Sequence, residues 1–164
     1  MGRNSTNRIL NIHAKNGFTL QELMVAVAVL GILFGIAIPK FGGLLRNSRE
    51  GEVKTKLGIL RSSLNIYYSE NMARFPRGST GNNQTTLATT LVPKYIKTFP
   101  EVYVYPHHAA TNTVDNTANK DFQTADPTDD GEWAYVSDQN NNDWGFVAVE
   151  CYHTDSKSQK WSSY

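Results

Sequence analysis

Three features of this sequence predict an α+β fold. An apolar run near the amino end, Leu23–Ile38, is followed by an amphipathic stripe, and together they indicate one long helix. A polar region rich in Thr, Asn and Asp, residues 107–131, is expected to be a long surface loop. Short alternating segments near the carboxyl end predict a small antiparallel sheet. At 164 residues, the chain has room for one head domain besides this helix.

Residues 1–17 form a short basic leader that carries Arg3, Arg8 and Lys15 and no acidic residue. A basic stretch before an apolar run resembles a secretory signal peptide, which would end in a small-x-small cleavage site. Here the run ends in Ala37-Ile38-Pro39-Lys40, which has no such site. The ordinary signal peptide is therefore disfavoured, and cleavage before the apolar run is the alternative.

The apolar run has the length of a membrane span. As a helix, Phe18–Ile38 would measure about 32 Å, enough to cross a hydrocarbon layer of ~30 Å. Glu22 is the only charged residue between Lys15 and Lys40. A carboxylate in lipid is costly, so Glu22 is expected to be functional and to meet a cation. The alternative is that Glu22 lies near one end of the span and reaches the lipid headgroups.

The segment Lys15-Asn16-Gly17-Phe18-Thr19-Leu20-Gln21-Glu22, with the apolar run behind it, closely resembles the prepilin signature of type IV pilins and type II secretion pseudopilins. The resemblance implies that a membrane-embedded prepilin peptidase cleaves after Gly17 and methylates the new amino terminus, Phe18. It makes Glu22 the family's buried glutamate, and it matches Pro39 to the family's proline at the end of the apolar run. It also implies a pilin-like fold, in which the long helix packs on the sheet.

The same resemblance implies how subunits assemble. The carboxylate of Glu22 would neutralise the Phe18 amine of an adjoining subunit as a helical homopolymer forms in the membrane. The expected partners are other copies of the chain, prepilin peptidase, an inner-membrane assembly platform and membrane lipid. The basic leader is expected to stay in the cytoplasm, with the head outside a single-pass inner-membrane anchor. The assembled filament would be periplasmic or on the cell surface.

The amphipathic half of the long helix is expected over residues 40–72, after a transmembrane half over residues 18–39. Its apolar stripe has helical spacing and should face the head. The pattern stops near Asn71, and Pro76 cannot continue a helix. A helix break is expected at Pro39, where four glycines lie nearby. The stripe consists of Val53, Leu57, Leu60, Leu64 and Tyr67.

The head, residues 73–164, is predicted to begin with a short helix and to end in strands. The strands are expected at 132–136 and 145–151, joined as a hairpin by residues 137–143, with a third strand at 159–162. The short helix is expected at 85–95. Cys151 is the sole cysteine, so no intramolecular disulfide is possible, and it is expected to be a buried small residue on a strand.

No cofactor or metal is expected in the head, although two groups of residues invite the question. A solvated acidic loop is the favoured interpretation of the carboxylates around Gly131, and calcium is the alternative. The pair His107-His108 is expected to be ordinary loop, because no Cys or carboxylate partner at a metal-site spacing is evident in the sequence. The acidic group consists of Asp126, Asp129, Asp130, Glu132, Asp138 and Asp143.

The function expected from these features is that of a structural filament subunit, a pilin or pseudopilin. The alternative is a minor pilin or tip module for adhesion or DNA uptake. Residues 101–164 carry three Lys against eleven Asp and Glu, so no nucleic-acid partner is expected. A membrane-anchored enzyme is not expected, because no phosphate loop, nucleophile elbow or zinc motif is present in the sequence.

Overall fold

A computed structural model of the chain describes residues 17–77, 85–117 and 129–164. The chain divides into two compact units at Lys40–Phe41. The described residues form two α-helices, three β-strands and a final 3-10 helix. In chain order these are α1 Leu20–Glu70, α2 Thr85–Leu91, β1 Val114–Thr117, β2 Trp133–Val136, β3 Val147–Val149 and the 3-10 helix Trp161–Ser163.

Helix α1 confirms the predicted long helix and differs from the prediction at Pro39. The helix does not break there: Pro39 lies inside a helix that runs from Leu20 to Glu70. Proline has no N–H to donate to the carbonyl of Gly35, four residues earlier. That single missing bond does not interrupt the helix, which has many intact turns on both sides. Helix α2 ends at Leu91, four residues before the expected end.

The predicted stripe on α1 forms one side of the core in the second unit. Val53, Leu57, Leu60 and Leu64 are buried, and Tyr67 is partly buried against the same cluster. Fully burying a leucine contributes about 1.5–3 kcal/mol, so these four side chains hold the helix on the head. The rest of this cluster comes from α2, the segment between α2 and β1, the sheet and the carboxyl end: Leu87, Leu91, Val102, Val104, Val114, Trp133, Tyr135, Val147, Val149, Cys151 and Trp161.

The sheet has the strand order β1-β2-β3, and its topology is mixed. Strands β2 and β3 are antiparallel, with Trp133 opposite Val149, which confirms the predicted hairpin. Strand β1 is parallel to β2, with Val114 opposite Trp133, so the expectation of a purely antiparallel sheet was wrong for this strand. This strand lies within the segment that was predicted to be a surface loop. The prediction missed it because the sequence Val-Asp-Asn-Thr has the composition of a turn.

The carboxyl end also differs from the prediction. Residues 159–162 form no third strand; a single bridge joins Thr154 and Lys160, and a 3-10 helix follows. Trp161, which belongs to this 3-10 helix, has a buried indole. The N–H of Ser162 donates to the carbonyl of Cys151 at 3.2 Å. Cys151 is buried as expected, but it follows β3 by two residues.

Arg61 of α1 covers the outer edge of β3. Its guanidinium donates to the carbonyl of Val147, with Nη2 at 2.9 Å and Nε at 3.3 Å. The next outward carbonyl, that of Val149, accepts from the N–H of Cys151 at 3.0 Å. Edge carbonyls without partners invite pairing with another strand. Both of these already have donors within the chain.

Two buried carboxylates tie the turn before the 3-10 helix to α1. Asp155 accepts from Lys54 Nζ at 2.7 Å and from the Tyr164 hydroxyl. Glu50 accepts from the N–H of Ser156 at 2.9 Å and from its hydroxyl at 2.6 Å. Because such bonds favour the charged form, they stabilise the fold only while the carboxylates are ionised.

These contacts predict a loss of stability in acid. Burial opposes ionisation, but the bonds from Lys54, Tyr164 and the backbone hold the pKa of Asp155 below its usual range. Burial also opposes ionisation of Glu50, yet Ser156 and Arg46 lower its pKa. A folded-state pKa below the unfolded value of about 4 means that the unfolded chain binds protons first. The free energy of unfolding should therefore fall as the pH drops below about 4–5.

The variant Asp155→Asn should lower the free energy of unfolding at neutral pH by about 1–3 kcal/mol, because it leaves Lys54 without its buried anion. It should also flatten the dependence on pH. Urea midpoints between about pH 3 and pH 7 measure both effects. Glu101→Gln, at an exposed position, is the control. An unchanged pH dependence of stability in Asp155→Asn would contradict the assignment.

Candidate functional site

The amino end of α1 is built by a capping box between Thr19 and Glu22. Thr19 donates to Glu22 Oε2 from its N–H at 2.9 Å and from its hydroxyl at 2.7 Å. In return, the N–H of Glu22 donates to the Thr19 hydroxyl oxygen at 3.2 Å. These bonds satisfy backbone donors that the first helical turn leaves open, which explains why the helix begins at Leu20.

This second role of Glu22 was missed at the sequence level. Thr-x-x-Glu before an apolar run is a recognised helix-start pattern, and Thr19 and Glu22 have that spacing. The helix-start pattern was therefore present in the sequence, but Glu22 was predicted only to pair with a cation of a neighbouring subunit. Both roles are compatible, because an ionised carboxylate has about four acceptor sites and Thr19 uses two of them.

Gly17 and Phe18 lie outside the helix, immediately before the capping box. Neither residue is in regular secondary structure, and Phe18 is 78% exposed. A Cβ added at Gly17 would meet no heavy atom within 4 Å. The peptide bond between the two residues is therefore accessible among the described residues, and packing against these residues gives no reason for glycine at position 17. The expected leader residues 1–16 lie outside the described residues.

The first half of α1 is apolar on every side, and its large side chains are exposed in the part of the chain that the structure describes. This segment is long and apolar enough to cross a membrane. The exposed side chains include Leu23, Val27, Ile32, Phe34 and Ile38. A helix that is apolar all round is typical of a membrane span or of a buried helix, and this one is not buried among the described residues.

In the head, the structure brings together side chains that the sequence analysis had considered separately. One ligand-type atom from each of His108, Asp129, Cys151 and His153 lies within 4.8 Å of the others. Asp129 belongs to the acidic group for which calcium was the alternative, but its described neighbours here are imidazoles and a thiol. The solvated acidic loop, with calcium as its alternative, stays an untested prediction, since Asp126 lies outside the described residues.

The matched family motif agrees with this placement of the amino end. The prokaryotic N-terminal methylation motif matches residues 12–38, which include Gly17, Phe18, Glu22 and the exposed apolar half of α1. The match covers the membrane-type segment and does not extend into the head.

Several curated proteins are similar to parts of the chain. The type IV major pilin protein PilA of Myxococcus xanthus is 42% identical over 64 residues, which cover 38% of this chain and 29% of that protein. The type II secretion system core protein G of Klebsiella pneumoniae is 29% identical over 87 residues, or 53% of this chain and 61% of that protein.

A longer alignment joins the chain to the type IV major alpha-pilin of Moraxella bovis, at 27% identity over 135 residues, 74% of this chain and 85% of that protein. The chain spans about a third of the length of the Myxococcus xanthus and Dichelobacter nodosus pilins that it matches. No solved structure matches the chain significantly. The chain therefore carries the prepilin-type N-terminal methylation motif, and its homologues are type IV major pilins and the core protein G of type II secretion systems.

Proposed function

We propose that this chain is a structural subunit of a type IV pilus or a type II secretion pseudopilus. In this proposal it is cleaved between Gly17 and Phe18, methylated on the Phe18 amine and polymerised through the first half of α1. The observation that carries the proposal is the exposed apolar first half of α1, which begins three residues after Gly17, inside the matched methylation motif. Such a helix supports both a membrane anchor and a polymer core.

Cleavage is supported by the local backbone. A protease requires an extended, accessible segment, and Gly17 and Phe18 are non-helical and exposed. Hydrolysis of the Gly17–Phe18 peptide bond by water would leave a carboxylate on Gly17 and a new amine on Phe18. A sulfonium methyl donor would then give its methyl group to that amine, with its S–CH3 bond broken, an N–CH3 bond formed and one proton released from the amine. Because packing within the chain does not require Gly17, the glycine is assigned to recognition by the peptidase.

Assembly is supported by the position of Glu22. After cleavage, each subunit would have a cationic Phe18 amine four residues before its carboxylate, both at the start of an apolar helix. Either charge alone is costly in lipid, and a pair between neighbouring subunits lowers that cost. The pairing would set the axial position of one subunit against the next, with the inner-membrane assembly platform supplying new subunits.

The experiment is mass spectrometry of the membrane-extracted protein from cells that contain prepilin peptidase. The wild-type chain is expected to lack residues 1–17 and to carry one methyl group on Phe18. Gly17→Val should leave the full-length chain, because a branched side chain replaces the hydrogen at the cleaved bond. Gly43→Val, at another position with open space around it, is the matched control and should be processed normally. An intact Met1 terminus in the wild type would refute the proposal.

A further inference from the structure

We propose that His108, Asp129, Cys151 and His153 form a tetrahedral site for one zinc ion in the head. These four residues come from three separate segments. His108 lies in the loop after Val104, Asp129 precedes β2, and Cys151 and His153 follow β3. His108 and His153 are 45 residues apart in the sequence. The fold thus places two imidazoles, a carboxylate and the sole thiol of the chain around one point.

The distances fit one shared ion. His108 Nε2 lies 3.2 Å from His153 Nδ1 and 3.4 Å from Asp129 Oδ1. His153 Nδ1 lies 3.4 Å from Asp129 Oδ2 and 3.4 Å from Cys151 Sγ. Zinc bonds of about 2.0–2.3 Å in a tetrahedron place neighbouring ligand atoms roughly 3.3–3.7 Å apart. These four separations, two of which involve different oxygens of Asp129, are close to those tetrahedral edges, and the four ligand atoms all lie within 4.8 Å of one another.

The surrounding chain holds the ligands in place. The N–H of Tyr152 donates to Asp129 Oδ1 at 2.9 Å, and the N–H of Trp161 donates to the carbonyl of His153 at 3.2 Å. The ring of His107 stacks on the ring of His153 with centroids 3.7 Å apart and planes at 12°. Backbone donors and stacked rings of this kind fix the direction in which a ligand side chain points.

Because Gly131 has no side chain, it leaves the space that the His108 ring occupies. Its φ of +73° is a backbone conformation that side chains rarely adopt, and an added Cβ would lie 2.5–2.8 Å from three atoms of His108. Any other residue at position 131 would clash with the imidazole unless the ring or the backbone moved. Two of the four ligands are shielded from solvent, since Cys151 is buried and the side chain of His108 is 13% exposed.

The chemical types of the four ligands favour one metal over others. One thiolate, two imidazoles and one carboxylate suit zinc, whereas calcium and magnesium prefer all-oxygen ligands. Four protein ligands leave no position for substrate, so the ion would be structural. It would join the His108 loop to the start of β2 and the end of β3. A single cysteine cannot close these loops as a disulfide, and a metal would take over that function.

A hydrogen-bonded His–Asp–His group without metal is the competing explanation, and cobalt substitution separates the two. The full-length chain, purified in detergent and stripped of metal, is titrated with Co²⁺ and then with Zn²⁺. One equivalent of Co²⁺ should give visible bands of tetrahedral cobalt and a thiolate-to-cobalt charge-transfer band. One equivalent of Zn²⁺ should abolish both, and it should raise the melting temperature.

Cys151→Ser should remove the thiolate band, and His153→Gln should weaken Zn²⁺ affinity by about 100-fold or more. His153 is about one-third exposed, so this second variant is expected to fold, which far-ultraviolet circular dichroism checks. Glu101→Gln, at an exposed position outside the four ligands, is the control and should still bind one ion with the same band. Absence of the thiolate band in the wild type, or equal Zn²⁺ affinity in His153→Gln and the wild type, would overturn the proposal.

Discussion

Glu22→Ala is expected to abolish filaments while leaving cleavage after Gly17 intact. Under the proposed function, the Phe18 amine of an incoming subunit would meet no anion at the edge of the lipid. Leaving one member of a buried ion pair without its partner costs about 3–5 kcal/mol, which is large against a single surface contact. Filaments sheared from cells and processed monomer in membranes, both quantified by immunoblot, are the two measurements.

The capping box provides controls that separate the charge of Glu22 from its role in starting the helix. Thr19→Val keeps the shape but removes the hydroxyl that bonds Glu22, which should cost about 1 kcal/mol of helix stability and leave filaments near normal. Glu22→Gln retains a residue suited to the capping box and loses the charge, so it should behave like Glu22→Ala. If Thr19→Val reduces filaments as much as Glu22→Ala, the capping role suffices and the ion pair is not required.

Gly145→Ala is expected to destabilise the head by about 2–5 kcal/mol, the sum of backbone strain and overpacking. Gly145 has a φ of +91°, and an added Cβ would lie 2.4–2.6 Å from ring atoms of Phe75. That ring cannot move freely, because it packs against Tyr68 at a centroid distance of 4.5 Å and against Trp144 at 6.0 Å.

Gly58→Ala is the matched control for this change. Gly58 lies on the exposed side of α1, and a Cβ there would meet nothing within 4 Å. It should raise the free energy of unfolding by about 0.5–1 kcal/mol, because alanine is the better helix former. Urea unfolding of both variants, followed by tryptophan fluorescence, compares them. Equal urea midpoints for Gly145→Ala and Gly58→Ala would show that the added methyl group beside Phe75 costs little free energy of unfolding.

The long helix and its buried stripe were predictable because hydrophobic periodicity is strong over many turns. Val53, Leu57, Leu60 and Leu64 repeat at helical spacing, and all four are buried. The break expected at Pro39 did not occur, since a local breaker signal competes with many intact hydrogen bonds around it.

Strand β1 was not predictable from local composition. Its four residues include one large apolar side chain, Val114, and the strand forms because β2 offers a parallel neighbour distant in sequence. The His108, Asp129, Cys151 and His153 cluster was hidden for the same reason, because its members meet only through the sheet topology. The spacing Cys151-x-His153 was the one local hint, and it is short enough to occur by chance.

The contact between Arg61 and β3 opposes extension of the sheet by a strand from another copy of the chain. Small sheets with open edges are starting points for amyloid-like extension when many copies are crowded together. The guanidinium of Arg61 occupies the Val147 carbonyl that an invading strand would use. This contact therefore opposes strand addition at this edge, which under the proposed function would leave association through the helices as the favoured contact between crowded subunits.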